Sequence, residues 1–384
     1  MNSELHAFIL WEYARNKSKE IIDDLETRFE ICQIYEISWP KTKFAKNLKR
    51  FYGVTLANPI QKESQCGNGP FLLIIIRDNN PKHGKRKTSL GSQIVNTNVY
   101  DLKMQYRRML KSGFIIHSSI HEKESNHDFT LLLGKTLAQL KEELKNPWDG
   151  KIINLKTEMI GETWNSPQEV FFVMNSIINY VILRNFENFP EELISHEHKD
   201  IDLLTDDQWQ IPYVLNMEKI NSNSIGFSPF VKISEKKIKL DIRYVNDGYY
   251  DEKWSKDILD RKILSNGVFV PSDEDYFFSL LYHMIIHKKK LRNDYCERLY
   301  KIAPQYIKEK YSQNDFNNYI ILKKILEEFM KINGYQYVNS IRYSLKHNEP
   351  MRLLRVGLFT IKHEGWNFLF RAIKLKMSKT IKKK

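Results

Sequence analysis

Three aspartates have the spacing with the clearest chemical meaning. Asp200 and Asp202 stand two residues apart in the strand-like run that ends at Leu204. Because alternate side chains of a strand point to the same face, we expect these two carboxylates to lie side by side. Asp241 places a third carboxylate in another apolar strand, where burial without a partner would be costly. Since Mg²⁺ binds carboxylates together with phosphate oxygens and water, the three acids predict a Mg²⁺ (or Mn²⁺) site.

The segments around the aspartates are expected to form the frame that holds them. A helix is predicted to begin at Pro167, with Ser166 as its cap and Glu169 completing a capping box. The apolar stretch from Val170 to Leu183 follows, and its later part is predicted to be a strand. The apolar residues that alternate with the paired aspartates should point the opposite way, into a core that keeps the pair rigid.

This order of elements resembles the nucleotidyltransferase superfamily, the fold of polymerase-beta-like and LicD-like transferases. The mark of that family is a helix, a strand, a turn, Asp-x-Asp on the next strand and a further acid on a later strand. The resemblance covers roughly residues 165–290. It implies that Asp200 and Asp202 bind metal, and that Asp241 binds metal or acts as a base on an acceptor hydroxyl.

The turn before the paired aspartates departs from the family pattern. The family has Gly-Ser or Gly-Gly there, whereas this chain has Arg184 and Asn185. We expect Arg184 to clamp phosphate in place of the backbone amides. The full set of residues predicted to contact substrate or phosphate around the aspartates is Arg184, Asn185, Arg243, His283, His287 and Lys288.

His283 and His287 stand four residues apart on one helix face, which is a possible metal-ligand spacing. The glutamate of a zinc protease motif is absent between them. We therefore favour helix packing or phosphate contact for both histidines over zinc binding.

The N-terminal region contains a second polar cluster, with His117 at the end of an apolar strand. The order of its residues resembles the nucleoside diphosphate kinase fold. On that comparison His117 takes the phosphohistidine position, and Arg86, Asn96 and Arg107 take phosphate-contacting positions. Three interpretations of His117 stay open: a hydrogen-bonded histidine at a strand end, a degenerate phosphate-binding site and a phosphorylated histidine.

Local patterns predict several elements of this region. They indicate a helix over Phe8–Ile22, a strand over Phe29–Trp39, a strand buried on both faces over Phe71–Ile76 and a helix over Leu131–Leu144. They also indicate a basic loop over Lys82–Lys87, within a basic and turn-rich segment that ends at Gly91.

The positive charge is concentrated at the C-terminal end. The 384 residues carry a formal charge of +13, and ten basic residues with a single acid give residues 351–384 a charge of +9. The mild charge of the remaining chain argues against a protein that coats nucleic acid. An apolar stripe at helical spacing in this tail consists of Trp366, Leu369, Phe370, Ile373 and Met377. We favour a basic amphipathic helix on an anionic membrane surface, and the alternative is a packing helix with a lysine-rich end that contacts nucleic acid.

No secretory signal and no membrane-spanning stretch is evident, and three scattered cysteines suggest a reducing compartment. We therefore expect a cytoplasmic protein, peripheral at the inner face of the cell membrane. The predicted class is α+β, with a nucleotidyltransferase-like mixed sheet between an N-terminal ferredoxin-like or nucleoside-diphosphate-kinase-like domain and a helical C-terminal region. The predicted divisions are residues 1–147, 151–300, 301–348 and 349–384.

These expectations combine into a functional hypothesis. The chain would be a metal-dependent transferase that moves a nucleotide-activated group to a hydroxyl of a surface-polysaccharide or lipid-linked glycan acceptor. The alternatives are a nucleotidyltransferase that modifies a protein or small molecule, a glycosyltransferase with the same carboxylates, and a non-catalytic nucleotide- or phosphate-binding module. The oligomeric state is left open.

Overall fold

A computed structural model describes residues 3–156, 158–189, 200–219 and 229–338. The chain divides into two compact units. Within the described ranges, the first unit consists of residues 3–163 with 213–216, and the second consists of residues 164–212 with 217–338. Helices and mixed sheets occur in both units, which confirms the α+β class. The predicted amphipathic tail, residues 349–384, lies outside the described residues.

The first unit is built on a mixed sheet. In its described part the strands are β1 (Glu4–Leu10), β2 (Glu30–Ser38), β3 (Phe71–Asp78), β4 (His83–Thr88), β5 (Gly91–Asn96), β6 (Ile116–Ser118) and β7 (Ile152–Lys156). The helices are α1 (Ser18–Arg28), α2 (Phe44–Tyr52), α3 (Pro59–Cys66), α4 (Thr97–Met109), α5 (Glu122–Leu133) and α6 (Leu137–Glu143). The main sheet has the order β6-β1-β3-β2-β7, in which only the β2–β7 pair of these described strands is parallel.

Strand β3 confirms the prediction of a strand buried on both faces. Residues 71–76 are at most 1% exposed, because β3 lies between β1 and β2 and both of its faces are covered. At one end of the strand Phe71 packs against Trp11 and Trp39, with ring centroids 4.6 and 4.8 Å away. The apolar run is therefore the centre of the first core.

Three local predictions need correction. The predicted helix Phe8–Ile22 is wrong at its start: β1 runs to Leu10, and the α-helix begins at Ser18. Because β1 is also buried on both faces, its sequence lacks the alternation that marks a strand. The predicted basic loop Lys82–Lys87 is mostly strand β4 of the β4–β5 hairpin, whose turn precedes Gly91. The predicted helix Leu131–Leu144 is two helices, broken at Gly134 with φ +66°.

The predicted boundary near residue 150 also moves. Strand β7 pairs in parallel with β2, so residues 152–156 belong to the first sheet. The short segment 213–216 belongs to this unit as well. Its carbonyls at Tyr213 and Val214 accept hydrogen bonds from the buried Arg50, which also donates to the carbonyl of Ile160 at 2.6 Å. This arginine thereby binds three carbonyls from two separate pieces of backbone.

The second unit contains the aspartate strands. Its described strands are β8 (Tyr180–Ile182), β9 (Asp200–Thr205), β10 (Glu218–Lys219), β11 (Pro229–Ile233), β12 (Lys236–Tyr244), β13 (Ile263–Ser265) and β14 (Val268–Val270). The α-helices from this point on are α7 (Pro167–Ile177), α8 (Ile211–Val214, which contributes to both units), α9 (Glu252–Asp260), α10 (Asp273–Tyr282), α11 (Asn293–Ile302), α12 (Gln305–Lys308) and α13 (Tyr319–Ile332). The main sheet has the order β10-β11-β12-β9-β8, and β9 and β12 run parallel within it.

The capped helix is α7, and it begins at Pro167 as predicted. The Ser166 hydroxyl accepts the backbone N–H of Glu169 at 3.3 Å. The predicted capping box is modified, because the Glu169 carboxylate accepts the N–H of Asn165 rather than that of Ser166. After α7 the chain enters β8, which confirms the strand predicted at the end of this apolar stretch.

The predicted separate subdomain 301–348 is not what the described residues form. Leu322, Ile325 and Phe329 of α13 share one buried core with Trp254 and Phe278. The apolar face of α13 is covered by α10, so the helices from 252 to 332 are one packed region. Within the described ranges, no helix combines the length and apolar character that crossing a membrane requires.

Candidate functional site

The paired aspartates and the third aspartate lie on neighbouring strands. The parallel register of β9 and β12 sets Asp202 opposite Asp241, and Asp200 opposite Lys239. Residues opposite each other in a sheet share a face, and neighbouring strands are about 4.8 Å apart. The intervening Ile201 and Leu203 are 4% and 0% exposed. The predicted arrangement of carboxylates on one face and apolar residues on the other is therefore confirmed.

Each of these carboxylates faces a cation. Arg184 grips Asp202 with two contacts, Nε to Oδ2 at 3.1 Å and Nη2 to Oδ1 at 2.6 Å. Arg243 donates from Nη2 to Oδ2 of Asp241 at 2.9 Å. Lys239 lies 3.7 Å from Asp200. The positive side chains relieve the repulsion that like charges on neighbouring strands would otherwise cause.

Arg184 comes from the turn that follows β8, and it is almost fully buried. Its remaining nitrogen, Nη1, donates to the hydroxyl of Tyr249 at 3.2 Å. Burial favours a lower pKa for this guanidinium, but the interactions with Tyr249 and Asp202 outweigh burial and raise its pKa. All three guanidinium nitrogens are thus engaged by protein groups. The predicted phosphate clamp would require Arg184 to release at least one of these partners.

Asn185 shows how the turn manages without glycine. Its φ is +59°, in the left-handed region that asparagine tolerates better than most residues. Its Oδ1 accepts a hydrogen bond from Arg298 of α11 at 3.2 Å, and Arg298 also pairs with Glu187. The turn therefore has a conformation suited to glycine and is held from the helical region by an arginine that sequence reasoning missed.

Tyr249 was also missed, and it lies at the centre of the site. Besides accepting from Arg184, its hydroxyl is 2.8 Å from Nδ1 of His283. Its ring lies under the guanidinium of Arg243, 4.5 Å from the carbon Cζ. Nε2 of His287 is 3.2 Å from its carbonyl oxygen, and Oδ1 of Asp247 accepts its backbone N–H at 2.7 Å. One tyrosine thus contacts both arginines that face the aspartates.

The two histidines belong to a turn of π-helix. The helix expected to carry them is α10 as far as Tyr282, and His283–Lys288 continues it with the wider π geometry. Such turns are frequent at functional sites because they re-aim side chains. Here His283 and His287 both contact Tyr249, which agrees with the helix-packing alternative, while Lys288 is exposed.

Both histidines are held neutral. Burial, followed by the nearby Arg184, lowers the pKa of His283 to about 2. Burial also lowers the pKa of His287 to about 4, and the hydrogen bond to the Tyr249 carbonyl only partly opposes it. Since a carbonyl oxygen can only accept, Nε2 of His287 carries the ring proton.

The donor set suits Mg²⁺ in type but is not gathered around one point. Carboxylate oxygens on one sheet face are ligands that this ion prefers. Across the described part of the chain, no three His, Cys, Asp or Glu side chains are grouped so as to hold a metal ion. The cause is visible at each aspartate, because Asp202 is turned to Arg184 and Asp241 to Arg243. The residues fit the ion if Asp241 turns towards Asp202, because each Asp202 oxygen keeps a second lone pair beside its hydrogen bond to Arg184.

The N-terminal candidates are not brought together as one site. Asn96 caps α4, is fully buried and donates to Asp78 at 3.0 Å. Arg107, eleven residues along the same helix and so roughly 16 Å away, donates to the carbonyl of Ile116. Arg86 pairs with Asp101 on the exposed hairpin side, at 2.6 Å. Asn96 and Arg107 thus bond to protein groups at distant points of α4, and Arg86 bonds to an aspartate on the exposed side. The three residues therefore do not form one phosphate-binding site in this structure.

His117 is part of a buried histidine–aspartate arrangement. Its Nε2 is 2.8 Å from Oδ2 of Asp128, and the other oxygen of that carboxylate is 3.0 Å from Nδ1 of His127. Burial favours a higher pKa for Asp128, but the two histidines outweigh burial and lower it. His117 is 7% exposed, with the rings of Phe51 and Tyr52 against it. The arrangement fits the hydrogen-bonded histidine among the three interpretations.

The described residues of the first unit also line an open polar cleft of about 570 Å³, whose lining includes Arg28, Arg77 and Lys82 rather than His117. Arg28 pairs with Asp24, and Arg77 pairs with Glu30, so its cations are largely neutralised. The aspartate face of the second unit therefore remains the stronger functional candidate.

Comparison with known proteins found no matching family model, no matching curated protein and no matching solved structure, so the functional argument rests on this geometry.

Proposed function

We propose that the chain is a Mg²⁺-dependent transferase with a nucleotidyltransferase-like core. It moves a nucleotide-activated group, either phosphate-containing or a sugar, to a hydroxyl of a surface-polysaccharide or lipid-linked glycan acceptor. One observation supports the core of this proposal: the parallel register that sets Asp202 beside Asp241 on one sheet face, with Asp200 two residues earlier on the same face.

Asp200, Asp202 and Asp241 would hold the metal. When bound, Mg²⁺ supplies charge neutralisation to the phosphate oxygens of the donor. Side chains of the protein accept the proton, supply positive charge and orient the ligands. Asp241 is one-third exposed and accepts the proton of the acceptor hydroxyl, while Arg243 on the same strand face supplies positive charge to the transferred group. Arg184 stays on Asp202 and orients that carboxylate.

A thermal-shift screen of nucleotides and nucleotide sugars, with and without Mg²⁺, tests this function. A ligand that binds the folded state raises the unfolding midpoint. We expect a Mg²⁺-dependent increase with the true donor and its loss in Asp200→Asn. Asp200 is half exposed, so this change should leave the fold intact. Asp206→Asn, an exposed aspartate just after β9, is the matched control and should behave as wild type. An unchanged midpoint shift in Asp200→Asn would refute the metal site.

The membrane part of the proposal concerns residues 349–384. Their composition, with a charge of +9 in residues 351–384 and an apolar stripe, is the support for a peripheral location at the inner face of the membrane. Flotation with vesicles containing anionic lipid should carry the full chain, and should not carry a chain that ends near Asn348. Equal flotation of both would remove the lipid-linked acceptor from the proposal. It would favour a transferase that acts on a protein or small molecule.

A non-catalytic nucleotide- or phosphate-binding module is the second candidate. The observation that favours it is the pairing of each aspartate with a lysine or arginine, which balances the carboxylates without a metal. Such a module would bind its ligand equally well with and without Mg²⁺ in the same screen. Mg²⁺-independent binding that survives Asp200→Asn would select this candidate.

A further inference from the structure

A chain of hydrogen bonds lies behind Asp202 and runs through Arg184, Tyr249 and His283. A guanidinium can only donate, so the Tyr249 hydroxyl accepts from Nη1 of Arg184. The hydroxyl proton can then be donated to Nδ1 of His283, 2.8 Å away, in the tautomer that carries its ring proton on Nε2. Burial raises the pKa of Tyr249 and lowers that of His283, which keeps each group in the required form. In this arrangement the Arg184 and Tyr249 donors of the chain each have an acceptor.

Tyr249 itself has little freedom to move. Its N–H is bonded to Asp247 and its carbonyl to His287, so its backbone is fixed on both sides. The ring of His287 lies 3.9 Å from its own ring. The tyrosine ring in turn supports the guanidinium of Arg243, the partner of Asp241. A rigid side chain thus contacts the two arginines that hold the two facing carboxylates.

We propose that Tyr249 is the positioning residue of this site: its hydroxyl, oriented by His283, fixes Arg184 on Asp202, and its ring supports Arg243 on Asp241. The inference rests on the proposed function, because its expected effect is on metal affinity. A carboxylate of Asp202 that is held in one orientation binds a metal ion better than one that rotates freely. Groups that orient metal ligands commonly change metal affinity by about tenfold or more when removed.

The test compares Tyr249→Phe with Tyr250→Phe in the full chain. The neighbouring Tyr250 is equally buried, and its hydroxyl bonds the Ser279 carbonyl instead of an arginine. Mn²⁺ alone, titrated by electron paramagnetic resonance, is the probe. We expect Tyr249→Phe to weaken Mn²⁺ binding about tenfold and Tyr250→Phe to leave it near wild type.

Variants of His283 separate positioning from bulk packing. His283→Asn keeps an acceptor near the position of Nδ1 and should restore most of the affinity, whereas His283→Leu should behave like Tyr249→Phe. Equal Mn²⁺ affinity in wild type and Tyr249→Phe, or equal losses in both tyrosine variants, would overturn the inference.

A measurement that needs no metal distinguishes failure of the Tyr249 inference from failure of the proposed metal-dependent function. The Nε–H resonance of Arg184, assigned by its loss in Arg184→Lys, should move in Tyr249→Phe and stay in Tyr250→Phe. If wild type binds no Mn²⁺, the metal function fails, and this resonance still decides the inference. An Arg184 resonance unchanged in Tyr249→Phe would overturn it.

Discussion

Asp202 and Asp241 are directly opposite each other on parallel strands, and each is bonded to an arginine from a different part of the chain. Asp241 takes its partner from its own strand, two residues on. Asp202 takes its partner from the turn after β8, so its orientation depends on a more distant piece of backbone. The two carboxylates therefore share a position on the sheet face, but the orientation of Asp202 depends on a second segment of the chain, whereas that of Asp241 depends on its own strand.

Asp202→Asn should be far more destabilising than Asp200→Asn. Removing the Asp202 charge leaves Arg184 buried beside a neutral amide, which we expect to lower the free energy of unfolding by about 3 kcal/mol. Asp200 is half exposed and 3.7 Å from Lys239, so its loss should cost less than about 1 kcal/mol. Urea unfolding of both variants measures the difference. Similar losses in the free energy of unfolding would show that the buried Arg184 does not need the charge of Asp202 to be stable.

Stability of the second unit should fall as the pH drops from about 6.5 towards 4. The unfolded chain protonates His283 and His287 near 6.5, while the folded pKa values are about 2 and about 4, so acid favours the unfolded state in this interval. Each proton contributes at most about 1.4 kcal/mol per pH unit. His283→Asn should show a smaller loss than wild type in urea unfolding across this range. His83→Gln, at a half-exposed histidine of the first unit, should keep the wild-type slope.

The left-handed backbone of Asn185 predicts a difference in stability between two small residues at this position. Asn185→Ala and Asn185→Gly both delete the hydrogen bond to Arg298, so their difference isolates the backbone. Alanine at φ +59° should be about 1 kcal/mol less stable than glycine. Thermal unfolding of the pair gives the comparison. Indistinguishable midpoints would mean that the turn relaxes out of this conformation.

His117 and Asp128 should behave as one structural unit. Either His117→Asn or Asp128→Asn breaks the same buried contact, so the double variant should be about 1–3 kcal/mol more stable than the sum of the single losses implies. Urea unfolding of the four proteins completes the cycle. An acid-labile phosphoryl group on His117 after incubation with ATP and Mg²⁺ would contradict this structural role.

The sequence predicted the aspartate frame because each part had a local signature. The cap at Ser166, the strand at Asp200 and the strand around Asp241 follow from residue type and spacing over a few positions. Strand β1 was missed because burial on both faces removes the alternation on which strand prediction depends. The β2–β7 pairing joins residues more than a hundred positions apart, and no local pattern announces it.

The site residues also differ in whether a local sequence pattern marks them. The carboxylates could be predicted, since their strand spacing and their expected desolvation are readable in the sequence. Tyr249 and Arg298 could not, because one tyrosine in a tyrosine pair and one arginine in a charged helix have no distinguishing local context. Arg184 and Asp202 were both found, but their pairing was not, because this contact depends on the antiparallel pairing of β8 with β9.

The buried Arg50 limits how the protein can be divided for study. Two of its three carbonyl acceptors, at Tyr213 and Val214, come from a segment about fifty residues beyond Thr163. A fragment that stops at Thr163 would expose apolar surface and leave this guanidinium short of acceptors. Expression trials or limited proteolysis aimed at isolating the N-terminal half should therefore yield an insoluble or rapidly degraded product, unless residues 213–216 are supplied as well.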